Sequence, residues 1–379
     1  MKITAVEPIA IDSYLFVRIH TDKGIVGLGE AGAWGHREAS EAALKKFAAY
    51  LVGQDPFQIE LHQNVMYRWS YFRGAAIMAA ISAIDIALWD IKGKSLGVPV
   101  YELLGGKVRN QVRVYVHVKG ETIEEQVARC LEAKKQGFTA VGHLNPFLDE
   151  NRDIPYFKPH ARKMAEAVDS VRQYREALGN DVDLCIEIHR RLTPPEAITF
   201  GLAIEPFYPF FYEDPIPPDS IDAMAEVAQK IKIPVATGER LIYLSEFQML
   251  MERRAAQYLR PCICVVGGIT AGKKIAAMAE SHNLDIVPHN PLSPVSTAAC
   301  LQLAGAIPNL AIQEYPEDQN TPHFKEIFKC NFEQDNGFII VPDAPGIGIE
   351  LTPDARQKFP PKPRLVSARR HIDGSVVPQ

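Results

Sequence analysis

The chain has 379 residues, 47% hydrophobic and 23% charged, with a formal net charge of −5. That balance is that of a folded globular protein, which excludes a disordered chain, and its acidic sign offers no basic field for nucleic acid. Because no apolar run nears the roughly 18 residues of a membrane helix and the first residues lack an apolar signal core, a cytoplasmic protein with a small-molecule partner is expected, and no membrane or nucleic-acid partner.

Residues 1–110 follow no repeating strand–helix rhythm. The alternation over Leu15, Phe16, Val17, Arg18 and Ile19 and the stretch from Gly24 to Glu30 predict a small antiparallel sheet. A helix over 77–94 follows, with Ile77, Ile81, Ile84, Leu88 and Ile91 at helical spacing and Gly97-Val98-Pro99 ending it. The first unit therefore reads as an α+β capping domain. From residue 111 to 320, short apolar runs alternate with amphipathic stretches, which predicts eight strands at 112–118, 140–144, 184–187, 210–213, 235–238, 258–261, 286–288 and 311–313. Such a rhythm predicts a (β/α)8 barrel, of about 250 residues in typical cases. The segment 321–379 is Pro-rich and irregular; 338–341 is expected to be a strand returning to the cap. Cys130, Cys185, Cys262, Cys264, Cys300 and Cys330 sit in apolar contexts without Cys-x-x-Cys spacing, as buried thiols would.

Three glutamates carry the chemistry. Glu187, Glu213 and Glu239 stand 26 residues apart in turn, each closing an apolar run. One strand, one helix and two loops fit that period, so parallel strands present all three carboxylates at one rim, where barrel side chains converge. Oxygen ligands without sulfur suit Mg2+ better than Zn2+.

With these residues in place the chain resembles the enolase superfamily, of the mandelate racemase and muconate lactonizing type, and among its members the acid-sugar dehydratases. The matching stretches run along nearly the whole chain: Gly27 to Glu30, Ala83 to Lys94, Leu103 to Gly106, Gly238 to Arg240, Gly267 to Thr270, Pro288-His289, Gln313-Glu314 and Pro345 to Glu350. The resemblance implies a cap over a modified barrel, one Mg2+, and removal of the proton alpha to a carboxylate through an enediolate that a fixed cation stabilises. Such a superfamily reaction is one of the handful of cases where a Lys or His base works beside Mg2+. His189, two residues after Glu187, matches a general acid, and His289, after the seventh strand, matches the base. For substrate binding the resemblance points to Glu314 after the eighth strand, His117 after the first, and Trp34, His36 and Arg37 in the loop following Glu30. Dimers or octamers are implied as the assembly.

Three positions depart from the family pattern. Glu187 stands where the first ligand is usually Asp, which moves the carboxylate by about 1.5 Å. Cys262 stands where an Asp would hold the base. The second strand has no Lys-x-Lys; there either His143 faces the site, as a base or a substrate contact, or Gly142 does and leaves that face empty. Loss of a second base argues against a racemase. A dehydratase that converts an aldonate to a 2-keto-3-deoxy acid is the first expectation, followed by an epimerase or cycloisomerase and by a catalytically weak sugar-acid-binding protein.

Overall fold

The computed structural model describes residues 1–147, 154–316, 319, 321–329, 332 and 334–377, apart from the side chain of Trp34. In the cap, strands Ile3–Ile11, Tyr14–Thr21 and Val26–Ala31 form an antiparallel sheet in sequence order. Helices Arg37–Leu51, Ile59–Trp69 and Ala75–Leu96 follow. The last is apolar around most of its circumference, so it is buried on nearly all sides, between the cap sheet and the barrel. Glycine lets the sheet lie flush on it: a Cβ at Gly29 would sit 2.0 Å from the carbonyl oxygen of Ala83. The helix stops at Gly97, whose φ of 69° is the left-handed turn that glycine adopts without strain.

The barrel strands one to eight are Gln111–His117, Ala140–Leu144, Asp183–Glu187, Phe211–Glu213, Val235–Thr237, Tyr258–Leu259, Asp285–Ile286 and Gln313–Tyr315. Neighbours pair in parallel, strand eight closes on strand one with Gln313 opposite Val114, and Ile286 bridges to Leu310. The first seven lie where the apolar runs predict them. Strand eight starts two residues later than 311, because Ala311 donates its N–H to Ile286 on strand seven before the chain reaches strand one. Seven helices, from Ile123–Lys135 to Pro294–Ala306, connect the strands. After strand eight the described chain has the short helices Pro322–Ile327 and Ala355–Lys358, and Phe324 of the first packs 6.2 Å from the Tyr14 ring of the cap.

The segment 338–341 behaves differently from the expectation. Phe338–Ile340 pairs antiparallel with barrel strand one, Ile339 opposite Val112, and so extends the barrel wall instead of joining the cap. Cap contacts come later in the chain: Ile347 donates its N–H to Asp90, and Lys362 donates to the carbonyl of Asp12. The five described cysteines are buried and free, and Cys330 lies outside the described residues. Among the described residues no helix is long and apolar enough to cross a membrane.

Inside the barrel, Tyr115, Ala140, Cys185, Phe211, Ala236, Val287 and Ile312 form a small apolar cluster. Strand side chains alternate, so the residues two further on rise above that plug at the carboxyl-terminal rim. They are His117, Gly142, Glu187, Glu213, Gly238, His289 and Glu314.

Candidate active site

Strand register brings the three glutamates together. Glu187 and Glu213 are direct partners on strands three and four, and Glu239 follows strand five after the turn at Gly238. One oxygen from each lies within 4.8 Å of the others. Each carboxylate also has its own protein cation: Arg260 Nε stands 2.6 Å from Glu213, Arg190 Nη1 2.6 Å from Glu239, and two imidazoles flank Glu187. Around them the carboxyl groups of Glu187, Glu213, Glu239, Asp214 and Glu314, all buried except the half-buried Glu239, outnumber the buried guanidiniums of Arg190 and Arg260 by three.

That excess appears in the proton affinities. Burial pushes the Glu213 carboxyl well above the usual range, and Glu187, Glu314 and Glu239 add to it against the opposing Arg260. Burial acts in the same sense on Glu187 and Glu239, but His189 and His143 on the first, and His289 and Arg190 on the second, outweigh it and hold both below the usual range. A crowded set of hard oxygens whose central member resists ionisation is a donor set that a divalent cation relieves. The residues present fit such an ion.

His189 lies beside Glu187, its Nε2 2.7 Å from Oε1. Strand parity is not what brings it there, because strand three ends at Glu187 and His189 and Arg190 both adopt left-handed backbones, φ 53° and 65°. The second strand resolves its alternatives by a bulge. Between the pairs Val141–Leu184 and Leu144–Ile186, two residues, Gly142 and His143, stand opposite one, Cys185. Gly142 takes the inward place, where a Cβ would stand 2.3 Å from the Tyr115 ring. His143, at φ 58°, is turned into the site and sets Nδ1 2.8 Å from Glu187 Oε2. His143, Glu187 and His189 thus form a second group whose ligand atoms lie within 4.8 Å of one another.

His289 sets Nε2 3.1 Å from Glu239 Oε2 and pairs with Cys262 across strands six and seven. Its Nδ1 is buried without a hydrogen-bond partner of ordinary geometry. Burial lowers the proton affinity of the ring, but Glu239, with smaller help from the Cys262 thiol and Glu314, outweighs it and raises the pKa well above the usual histidine value. Glu314 accepts from Arg260 Nη2 at 2.7 Å and from the Asn290 N–H at 2.6 Å, and pairs with His117 Nε2 at 2.7 Å. Burial raises its pKa, but Arg260 and His117 prevail and bring it to about 2.

A cavity of about 430 Å³ opens over these groups, floored by the four glutamates and bordered by His143, His189 and His289. Two expected substrate contacts stand elsewhere. His117 is buried beneath the cavity, where it holds Glu314 and stacks on His143 with ring centroids 4.9 Å apart. Arg37 turns away: its Nη1 donates to the carbonyls of Asp12 and Lys362, because the C-terminal segment crosses the cap at that point. The side chain of Trp34 lies outside the described residues. His36, expected in the cap loop, does line the cavity, whereas sequence reasoning passed over Arg190, Arg260, Asp214 and Arg364. Arg260 carried a signal, since it lies two residues before Cys262 on the inward parity of strand six; Arg364 carried none.

Comparison with known proteins matches this geometry to a family. Residues 120–355 match the model described as Enolase C-terminal domain-like, and residues 2–105 match the Mandelate racemase / muconate lactonizing enzyme, N-terminal domain. The chain belongs to the enolase superfamily. Within this superfamily it is 36% identical to a protein of Ralstonia nicotianae named D-galactonate dehydratase, covering 99% of each chain. A protein of the same name from Variovorax paradoxus is 37% identical, again over 99% of both. Among solved enolase-superfamily structures, one from Pantoea ananatis with bound D-gluconate and Mg superposes with a TM-score of 0.92 at 30% identity over 100% of both chains. Another, from Agrobacterium radiobacter with bound Na and L-malate, has a TM-score of 0.91 at 29% identity over 100% of both.

Proposed function

We propose that this protein is a Mg2+-dependent sugar-acid dehydratase that converts an aldonate to a 2-keto-3-deoxy acid. The observation that carries the reading is the glutamate triad with one histidine on each of two different ligands, His189 on Glu187 and His289 on Glu239. Full-length similarity to proteins named D-galactonate dehydratase supports the same class. Glu187, Glu213 and Glu239 would hold the ion. Bound there, it would neutralise the charge that develops on the substrate carboxylate as the alpha proton leaves.

The chain's own groups then act on the two carbons. His289 takes the proton from C2. The electron pair of that C–H bond becomes the C2–C3 double bond as the C3 hydroxyl departs, and His189 gives the departing oxygen its proton, so water leaves. The enol that remains tautomerises to the 2-keto-3-deoxy acid. Glu314 and His143 would orient the substrate, and the buried Arg260 and Arg190 would keep the ligand carboxylates in place. Trp69, Tyr71 and Phe72, which are 54%, 80% and 92% exposed, support a homo-oligomer built through the cap.

The test is a screen of five- and six-carbon aldonates and aldarates with Mg2+, reading 2-keto-3-deoxy acids with semicarbazide. Turnover at ordinary enzyme rates is expected for at least one of them. Cys262 beside His289 favours a second reading, a protein that binds sugar acids without converting them, since no carboxylate meets Nδ1, the ring nitrogen opposite the one that Glu239 holds. Binding of Mg2+ and sugar acid with no product would select it.

A further inference from the structure

Glu187 belongs to two ligand groups at once. One is the all-oxygen triad with Glu213 and Glu239; the other is His143, Glu187 and His189, and in each the donor atoms lie within 4.8 Å of one another. The second group gives each carboxylate oxygen its own imidazole: His143 Nδ1 stands 2.8 Å from Oε2 and His189 Nε2 2.7 Å from Oε1. The two rings meet edge to face with centroids 4.9 Å apart, so their nitrogens converge on the carboxylate from different directions. Both side chains border the cavity and stay partly exposed there, 35% and 27%, so an ion reaches them from solvent and water completes its coordination.

Backbone conformation points the same way. His143 at φ 58° and His189 at φ 53° occupy the left-handed region that side chains other than glycine rarely adopt. Two such residues, each turned so that its ring meets the same carboxylate, are a local cost of the kind that functional sites carry. Charge leaves room for a second ion as well. The carboxyl groups around the triad exceed the guanidiniums by three, so with all of them ionised a divalent ion on the triad leaves one negative charge unmatched. Donor chemistry separates the two places. Mg2+ keeps to hard oxygen, whereas Zn2+ takes imidazole nitrogen at about 2.0 Å and is held by three protein ligands with one open position.

We propose that His143, Glu187 and His189 form a second cation site, for a Zn2+-class ion, with Glu187 bridging it to the Mg2+ triad. The ion is held by the lone pairs of His143 Nδ1 and His189 Nε2 and by one Glu187 oxygen, and any proton on those nitrogens is released to solvent. His189 Nδ1 faces the Asn145 side chain at 3.4 Å, so Nε2 is the nitrogen from which a substrate oxygen would be protonated. With Nε2 on the ion that proton is gone, and the filled site switches dehydration off. This consequence rests on the sugar-acid reading; the binding does not.

The test is a calorimetric titration of Zn2+ into the full chain saturated with Mg2+, with both metals then counted by elemental analysis. One Zn2+ per chain should bind while Mg2+ is retained. Asn accepts a left-handed backbone more readily than other non-glycine residues, so His143→Asn and His189→Asn are the substitutions that keep the fold. Each should weaken Zn2+ by at least about 100-fold and Mg2+ by no more than about threefold. With Co2+ as the probe, the visible absorption of the nitrogen-ligated ion should appear in the parent and vanish in both variants. Glu213→Gln, which removes the triad's ion, should still bind Zn2+, so a failure of the Mg2+ reading is told apart from a failure of this one. Where an aldonate turns over, Zn2+ should stop it over the concentration range in which it binds. Zn2+ that only replaces Mg2+ one for one, a Zn2+ affinity unchanged in both histidine variants, or turnover that persists with Zn2+ bound would overturn the proposal.

Discussion

Glu213 is the residue on which the metal reading turns. It lies in the middle of the triad, with one oxygen within 4.8 Å of ligand oxygens on Glu187 and Glu239 and with Arg260 Nε 2.6 Å from its Oε1. Glu213→Gln keeps the volume and removes the charge, so Mg2+ affinity by calorimetry should fall by at least about 100-fold while the far-ultraviolet spectrum stays that of the parent. Unchanged affinity would dismiss the triad. Cys262 is the second decisive residue. His289 Nδ1 is buried beside it without a partner that fixes its tautomer. Cys262→Asp should supply one and raise kcat by about tenfold, read in the keto-acid assay. A fall or no change would mean that the thiol environment already serves the base. The type of these residues was readable from their positions in the sequence. Their partners were not, because Arg190 and Arg260 reach Glu239 and Glu213, and Asp214 reaches Arg190, across strands that only the closed barrel juxtaposes.

At the scale of elements, strand six and the cap helices do the positioning. Arg260 lies fully buried directly after strand six and serves Glu213, Glu314 and Tyr115 OH at once. Removing one partner of a buried ion pair strands the other, so Arg260→Met should cost about 3–5 kcal/mol of stability, measured by denaturant unfolding. The cap docks on the barrel by a related device. Glu30 accepts from the N–H groups of Ser293 and Ser296 at the start of helix Pro294–Ala306, and Asp85 accepts from the Thr270 N–H at the start of helix Gly268–Ser281. Burial dominates both carboxyls and raises them to about 7 from usual values of 4.5 and 3.8. Asp85 Oδ2 has no hydrogen-bond partner and can carry the proton. Because the folded state then binds these protons more tightly than the unfolded chain, their contribution to stability falls as pH rises from about 4 to about 7 and is level above that. The loss amounts to roughly 3 kcal/mol for Glu30. Glu30→Gln should show a smaller loss of stability between pH 5 and pH 8 than the parent chain in denaturant titrations; an equal slope in both would assign the pH dependence elsewhere.

For the molecule as a whole, an ion held by strands three, four and five ties the barrel rim together only in the folded state. Mg2+ at a hundredfold excess over Kd should therefore stabilise the protein by about 2.7 kcal/mol, seen as a rise in Tm that a chelator reverses. Glu213→Gln should show no such rise. A parent chain whose Tm ignores both Mg2+ and chelator would remove the ion from this fold.

The amino-acid sequence by itself determined the strand–helix alternation, the cap, and the period of 26 that puts Glu187, Glu213 and Glu239 at one rim. These follow from local rules: apolar runs of strand length, turn residues between them, and side-chain alternation that sends every second residue inward. Tertiary structure alone decided the rest. The bulge that aims His143 at Glu187 depends on how strand two registers against strand three. The pairing of Phe338–Ile340 with strand one, the burial of His117 under the cavity and the turning of Arg37 to the tail depend on contacts between residues far apart in the chain. The presence of Arg364, from beyond the last barrel strand, at the mouth of this site is of the same kind. Periodicity encodes which face of an element is buried; it does not encode which distant segment covers that face, since that choice is made by packing in three dimensions.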